Sequence, residues 1–387
     1  MSKISIRTGP PVEGDNFYGR ETELQYAWEY HISKGVSLLL SAPRRVGKSS
    51  FAKKLLKLVE NNGWKTLYLD LQGITTENDF VKLFKNELAS EKWHNKAGDI
   101  ILNLFDSIKD SEIGGNKLSI NSDVWRNDTY EKIKQLIEHT GDILIVADEL
   151  TIYLDHLLTQ ESGTEKVEFF LEWLRSFRQT TKCCWILCSS VGIENFASMH
   201  QLSKHLNDAH PFPIGAFSEY EAKDFISRLA VDEKVQFTRE HIRYILDKLS
   251  WHLPYFIQIL VEKINFLICV ENKPLSNDTI DEAYKCLITE KHFNTWDERL
   301  KEYREFEDDA RKLLKLCASP YYGRSRENLL ANFSATGSDI DKIEARLSKV
   351  LYMLQNDGYL ATNNDNYIFR SPLLRDFWLN RFGTINL

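Results

Sequence analysis

Apolar residues in this chain fall into two rhythms. The run VSLLLS, from Val36 to Ser41, is short and unbroken, and a polar turn with one glycine separates it from SSFAKKLLKLVENNG, where apolar residues recur at helical spacing. An unbroken run of that length predicts a strand buried on both faces, and the recurrence after it predicts one covered face of a helix. KTLYLDLQG after Gly63 predicts a second strand, GDILIVADEL from Gly141 a third, CCWILCSS from Cys183 a fourth and PFPIGAF from Pro211 a short fifth. Between the second and third strands the chain reads as mostly helical to about His139, with a flexible excursion from Ser111 to Asp123 where Gly114 and Gly115 break the period. EKVEFFLEWLRSFRQ predicts a helix between the third and fourth. Apolar strands alternating with helices predict an α/β domain with a parallel sheet covered on both faces, and ligands in such sheets sit at the carboxyl ends of the strands.

At Ser218 the pattern changes. SEYEAKDFISRLA opens on a capping box of Ser218 and Glu221, and the chain reads as helical from there to about Glu290. The charged stretch DERLKEYREFEDD then leads into further helices followed by NDGYLATNNDNYIFRSP, a strand, a turn of Asn and Asp, and a second strand. Helices followed by a hairpin predict a winged helix-turn-helix. The expected division is residues 1–216, 217–298 and 299–387.

Composition narrows the class. With 387 residues the chain exceeds what one hydrophobic core usually organises, and 43% hydrophobic with 27% charged residues is the ordinary balance of a soluble globular protein. The N-terminus has no secretory pattern and no apolar run approaches the ~20 residues of a membrane span, so a cytoplasmic protein without a membrane partner is expected. A net charge of −7 argues against coating nucleic acid through overall electrostatics, and leaves a local basic patch open. The cysteines at 183, 184, 188, 269, 286 and 317 form no zinc-like pairs and read as core thiols. His200, His205 and His210 match no helical zinc spacing and read as surface residues. Trp28, Trp64, Trp93 and Trp185 read as core or subunit-contact residues.

The polar turn after the first strand carries the chemistry. It reads APRRVGKSS, from Ala42 to Ser50, between a buried strand and a helix, which is the context a phosphate-binding loop requires. Gly47 lets the backbone approach phosphates, the amides from about Arg45 to Ser49 point at them, and the helix N-terminus adds positive potential. Lys48 is expected to reach the β- and γ-phosphates and Ser49 to place its hydroxyl on Mg²⁺, with Ala42, Pro43, Arg44, Val46 and Ser50 completing the cradle. Ala42 stands where the usual pattern starts with glycine. At the end of the third strand, assumed to neighbour the first, Asp148 is the candidate for the Mg²⁺ shell and Glu149 for polarising the attacking water. Ser189 and Ser190 at the tip of the fourth strand are candidates for sensing the γ-phosphate, Ser190 being the catalytic assignment. Asp70 joins the magnesium network or caps its turn. Arg175 and Arg178 are candidates for an arginine presented to a neighbouring subunit, a solvated helix end being the alternative.

With these motifs placed, the chain resembles the AAA+ ATPases of the archaeal-ATPase and STAND-related group over nearly its whole length. The segment GDNFYGRETEL is similar to that group's box of an aromatic residue, Gly, Arg and Glu, which implies that Tyr18, Gly19 and Arg20 lie against the adenine. LSWHLPYFIQIL is similar to its glycine-x-proline segment, with His252 where Gly is usual, and this implies that Pro254 packs near the nucleotide. LLRDFWLNRF after the hairpin is similar to its winged-helix ends. The resemblance implies a P-loop ATPase core of AAA+ type, a helical lid and a winged helix, with ATP or ADP and Mg²⁺ held between core and lid. The expected function is an ATP-hydrolysing switch that couples nucleotide state to partner binding or self-assembly. The alternative is an ATP-regulated DNA-binding protein, as in origin-recognition relatives, with Arg324, Arg326, Asn328, Lys342, Arg346 and Lys349 as a basic face diluted by Asp339, Asp341 and Glu344.

Overall fold

A computed structural model of the chain describes residues 3–88, 122–138, 140–180, 183–189, 193–229, 231, 235–333 and 340–383. They belong to two compact units that are not contiguous in sequence: Arg20–Ser41 with Lys48–Ile214, and Met1–Gly19 with Ala42–Gly47 and Gly215–Leu387.

The first unit is built on a parallel sheet of β1 (Leu38–Ser41), β2 (Lys65–Asp70), β3 (Ile143–Asp148), β4 (Cys183–Ser189) and β5 (His210–Pro211). Its order is β2-β3-β4-β1-β5, with all neighbours parallel. Every residue of β3 and β4 is buried, which is why both read as unbroken apolar runs. One expectation is corrected here: β3 does not neighbour β1. β4 lies between them, pairing Leu40 with Cys188 on one side and Ala147 with Leu187 on the other. β4 is therefore paired along both edges as well as buried on both faces. The sheet edges are β2, exposed at Lys65 and Asp70, and the two-residue β5, where Pro211 has no N–H to donate.

The helices covering this sheet are anchored by aromatic side chains. The ring of Phe80 stacks on Tyr153 at 5.5 Å and meets Phe170 edge-on at 5.1 Å. Beside them Arg126 makes a buried two-point ion pair with Glu77, at 2.7 and 3.1 Å. Trp185 is buried in β4, and Trp28 and Trp64 pair edge-to-face at 5.5 Å, whereas Trp93 lies outside the described residues. Cys183, Cys184, Cys188 and Cys317 are buried thiols, with Cys269 and Cys286 half-buried. His205 corrects the surface reading: it is 2% exposed, and burial holds its imidazole below the ordinary value. The excursion predicted from Ser111 lies outside the described residues except for its last two positions, which begin helix Ser122–Glu138.

The second unit is helical before it turns to hairpin. Helices Glu219–Arg228, Arg239–Leu249, Pro254–Cys269 and Asn277–Thr289 follow one another, the first capped by the predicted box of Ser218 and Glu221. Helix Glu307–Ala318, β6 (Arg324–Ser325), helices Arg326–Phe333 and Ile340–Asn356, β7 (Leu360–Asn363) and β8 (Asn366–Phe369) come next, with the small antiparallel sheet ordered β6-β8-β7. That order of helix, strand, two helices and hairpin is the winged-helix arrangement. Asn364 and Asp365, both at positive φ, make its tight turn. No helix among the described residues is long and apolar enough to cross a membrane.

Candidate functional site

The phosphate-loop sequence occupies the link between β1 and helix Lys48–Asn61. Two of its residues have left-handed backbone, Arg45 at φ 67° and Gly47 at φ 100°. A Cβ on Gly47 would meet nothing within 4 Å, so glycine is required there by backbone conformation and not by crowding. Lys48 is the first helical residue and is buried, and Ser49 follows it. Amides at the start of a helix point along its axis and suit an anion, which is the setting this turn occupies.

At the end of β3 the backbone turns sharply. Asp148 is 4% exposed, and both its oxygens are held: Oδ1 accepts from the Glu149 amide at 3.1 Å and Oδ2 from the Tyr68 hydroxyl at 2.5 Å. Glu149 sits in the left-handed region at φ 55°, at the cap of helix Leu150–Leu158, a conformation that costs a non-glycine residue about 1 to 2 kcal/mol. Burial and the Asp148 charge push the Tyr68 phenol well above the usual tyrosine range, so it stays a donor. On the neighbouring β4, burial pushes the Cys188 thiol far up. Asp148 and Glu149 push it the same way while Lys48 opposes them, which places all three charged groups around the end of that strand.

Asp148 and the Ser49 hydroxyl offer oxygen donors only, and the carboxylate is buried with its orientation held, which is the chemistry a hard divalent cation such as Mg²⁺ takes. Ser189 is fully buried, and its hydroxyl exchanges a 2.6 Å hydrogen bond with Thr151. Ser190 lies outside the described residues. Asp70 is paired in register with Asp148, yet its carboxylate accepts from the Gln72 amide at 3.1 Å, which makes it the cap of its own turn.

The arginines near the end of helix Gly163–Thr180 are committed within their unit. Arg178 is buried and grips Asp208 through two bonds of 3.0 and 2.6 Å while donating to the His205 carbonyl. Arg175 donates to the Lys204 carbonyl at 2.8 Å. Neither is presented as a free cation, because the turn around Ser203–His205 supplies their acceptors.

In the other unit, the Tyr18 hydroxyl donates to Asp224 at 2.6 Å and its ring packs on Phe217 and Phe225. Gly19 and, in the sheet unit, Arg20 are successive left-handed residues that lead into helix Glu21–Tyr30, with Arg20 buried. Pro254 is the first residue of its helix, and the His252 carbonyl accepts from Phe217 at 3.1 Å.

The phosphate-loop residues Ala42–Gly47 belong to this same unit. Pro43 is buried against Gly358 and Trp251: a Cβ on Gly358 would come within 2.6 Å of the proline ring and 2.9 Å of the indole. Gly358 also has φ 82°, so both space and backbone exclude a side chain there. Arg45 lies 4.5 Å over the Tyr255 ring and donates to the Thr8 carbonyl at 3.2 Å. Sequence reasoning missed Tyr68, Thr151, Trp251, Tyr255 and Gly358. Only Tyr68 left a signal, a hydroxyl inside an apolar strand two residues before its polar end.

No protein-family model and no curated protein matches the sequence. Solved structures do match. A Walker-type ATPase of Pyrococcus abyssi superposes with a TM-score of 0.60 at 17% identity, covering 96% of this chain and 99% of that one. The ORC2 protein of Aeropyrum pernix, solved in ADPNP and ADP complexes, superposes with a TM-score of 0.53 at 11% identity, covering 95% and 96%. Sheet order, loop placement and these superpositions agree: the fold of this chain is that of the archaeal-type AAA+ P-loop ATPases.

Proposed function

We propose that the chain is a nucleotide-dependent ATPase that works as a switch, coupling its nucleotide state to partner binding or to assembly with its own copies. The observation that carries this reading is that residues Ala42–Gly47 group with the C-terminal helices and winged helix, Pro43 against Gly358 and Arg45 over Tyr255. A loop that holds phosphates and also packs on a second element has to balance both sets of contacts, so binding at one biases the other.

In this reading residues 1–216 act as the ATPase core, 217–298 as a lid and 299–387 as the winged helix. Lys48 and the loop amides hold ATP, with Tyr18, Gly19, Arg20 and Pro254 toward its base, while Ser49 and Asp148 hold Mg²⁺ and Glu149 polarises the attacking water. The cation, when bound, offsets charge on the phosphates. Hydrolysis then removes the γ-phosphate contacts and resets the loop.

Binding of DNA through the winged helix is the second reading, and the side chains favour it less. Arg326 bonds Ser348 and lies 3.8 Å from Glu344, Arg346 bonds Asp309 and the Glu305 carbonyl, and Lys349 covers the Phe306 ring. These cations are spent within their own unit.

The test is solution mass of the wild type and of Glu149→Gln with no nucleotide, ADP, or ATP with Mg²⁺, alongside duplex-DNA binding at low salt. Assembly in the trapped variant without DNA binding supports the switch. A fixed mass with ATP-dependent, salt-sensitive DNA binding replaces it with the second reading.

A further inference from the structure

Tyr68 stands on β2 with its Cα opposite Val146 of β3, and Asp148 is two residues beyond Val146 on the same face. A diagonal neighbour across two strands is within reach of a long aromatic side chain, and here the phenol spans that gap to donate to Asp148 Oδ2 at 2.5 Å. Lys53, from helix Lys48–Asn61, lies 5.0 Å from the centroid of the same ring. The other carboxylate oxygen takes the Glu149 amide, so Asp148 is tied at both ends while it remains almost fully buried. We infer that Tyr68 is a positioning residue for magnesium: its hydroxyl fixes the rotamer of Asp148, so that the free lone pairs of the carboxylate stay aimed at the cation and its water shell.

This inference rests on the ATPase reading and adds a residue to it. A tyrosine that merely satisfied a buried carboxylate would affect folding and leave the metal dependence of binding unchanged. A positioning residue acts on the metal step alone, because ATP held by Lys48 and the loop amides makes no use of the phenol. Outer partners of a metal-holding group typically change metal affinity by about ten- to a hundred-fold when removed.

The experiment measures ATP affinity of Tyr68→Phe, Asp148→Asn and the double variant, each in EDTA and across a Mg²⁺ titration. The ratio of affinities with and without Mg²⁺ is read within each protein, so a variant that melts earlier still reports. The expected result is that Tyr68→Phe keeps its affinity in EDTA and needs about ten-fold or more Mg²⁺ for half of the magnesium-dependent tightening. In the Asp148→Asn background the same change is expected to have no effect. A Tyr68→Phe variant with the wild-type Mg²⁺ dependence overturns the assignment and leaves the ATPase reading standing. An equal loss in EDTA and in Mg²⁺ also overturns it, in favour of a packing role. A wild type that binds no ATP overturns both.

Discussion

Asp148 and the phosphate-loop residues 42–47 are held, each within its own unit, by different physics. At the end of β3, Asp148 is fixed by strand register, a neighbouring amide and one cross-strand hydroxyl, all supplied by the sheet that contains it. The phosphate-loop residues 42–47 are held instead by residues distant in sequence: Thr8 under Arg45, Tyr255 beneath its guanidinium, and Gly358 with Trp251 around Pro43. The first arrangement is anchored in the backbone ladder of β2 and β3. The second depends on packing and one cation–π contact, each modest on its own, and so can be shifted by a ligand.

Four substitutions test that contrast, in falling order of effect. Lys48→Ala is expected to abolish ATP binding, whereas Glu149→Gln is expected to keep it and lose turnover by about a hundred- to ten-thousand-fold, read by calorimetry and phosphate release. Equal loss of binding in both would erase the division of labour between loop and strand end. Gly358→Ala adds one carbon within 2.6 Å of Pro43 on left-handed backbone. Its cost is about 1 to 2 kcal/mol from backbone strain alone, seen as a lower denaturation midpoint, together with altered ATP affinity although residue 358 is far from the loop in sequence. An unchanged affinity would disconnect the winged helix from the loop. Tyr255→Leu removes the ring beneath Arg45 and is expected to change ATP affinity by about two- to thirty-fold, the range of a partly desolvated cation–π contact.

Much of the sheet is legible in the order of residues alone. VSLLLS, ILIVAD and CCWILCS are apolar at nearly every position because their strands are buried on both faces, and APRRVGKSS lies between a strand and a helix as its flanking patterns predict. Strand order is not legible, since periodicity reports the faces of a strand and says nothing of its edges; hence the place of β4 between β1 and β3 has no signature in the chain. Arg178 reads as a surface cation because its acceptor, Asp208, lies across a turn with no helical or strand period. The winged helix shows in its hairpin, where Asn364 and Asp365 allow the tight turn. Gly358 gives no sign of its packing: a glycine after a helix is ordinarily a cap, and only three dimensions put a proline ring and an indole against it.

The slot around Pro43 also sets a timetable for folding. During synthesis the sheet can close once β5 has emerged, since all of its strands lie before residue 212. The loop at 42–47 cannot reach its final contacts until Tyr255, and then Gly358, have been made. The proposed phosphate loop is therefore among the last parts of the molecule to be finished, although its sequence is among the first to leave the ribosome. A nascent chain with an intact sheet would lack a settled loop, and nucleotide would meet its full set of contacts only on a nearly complete protein.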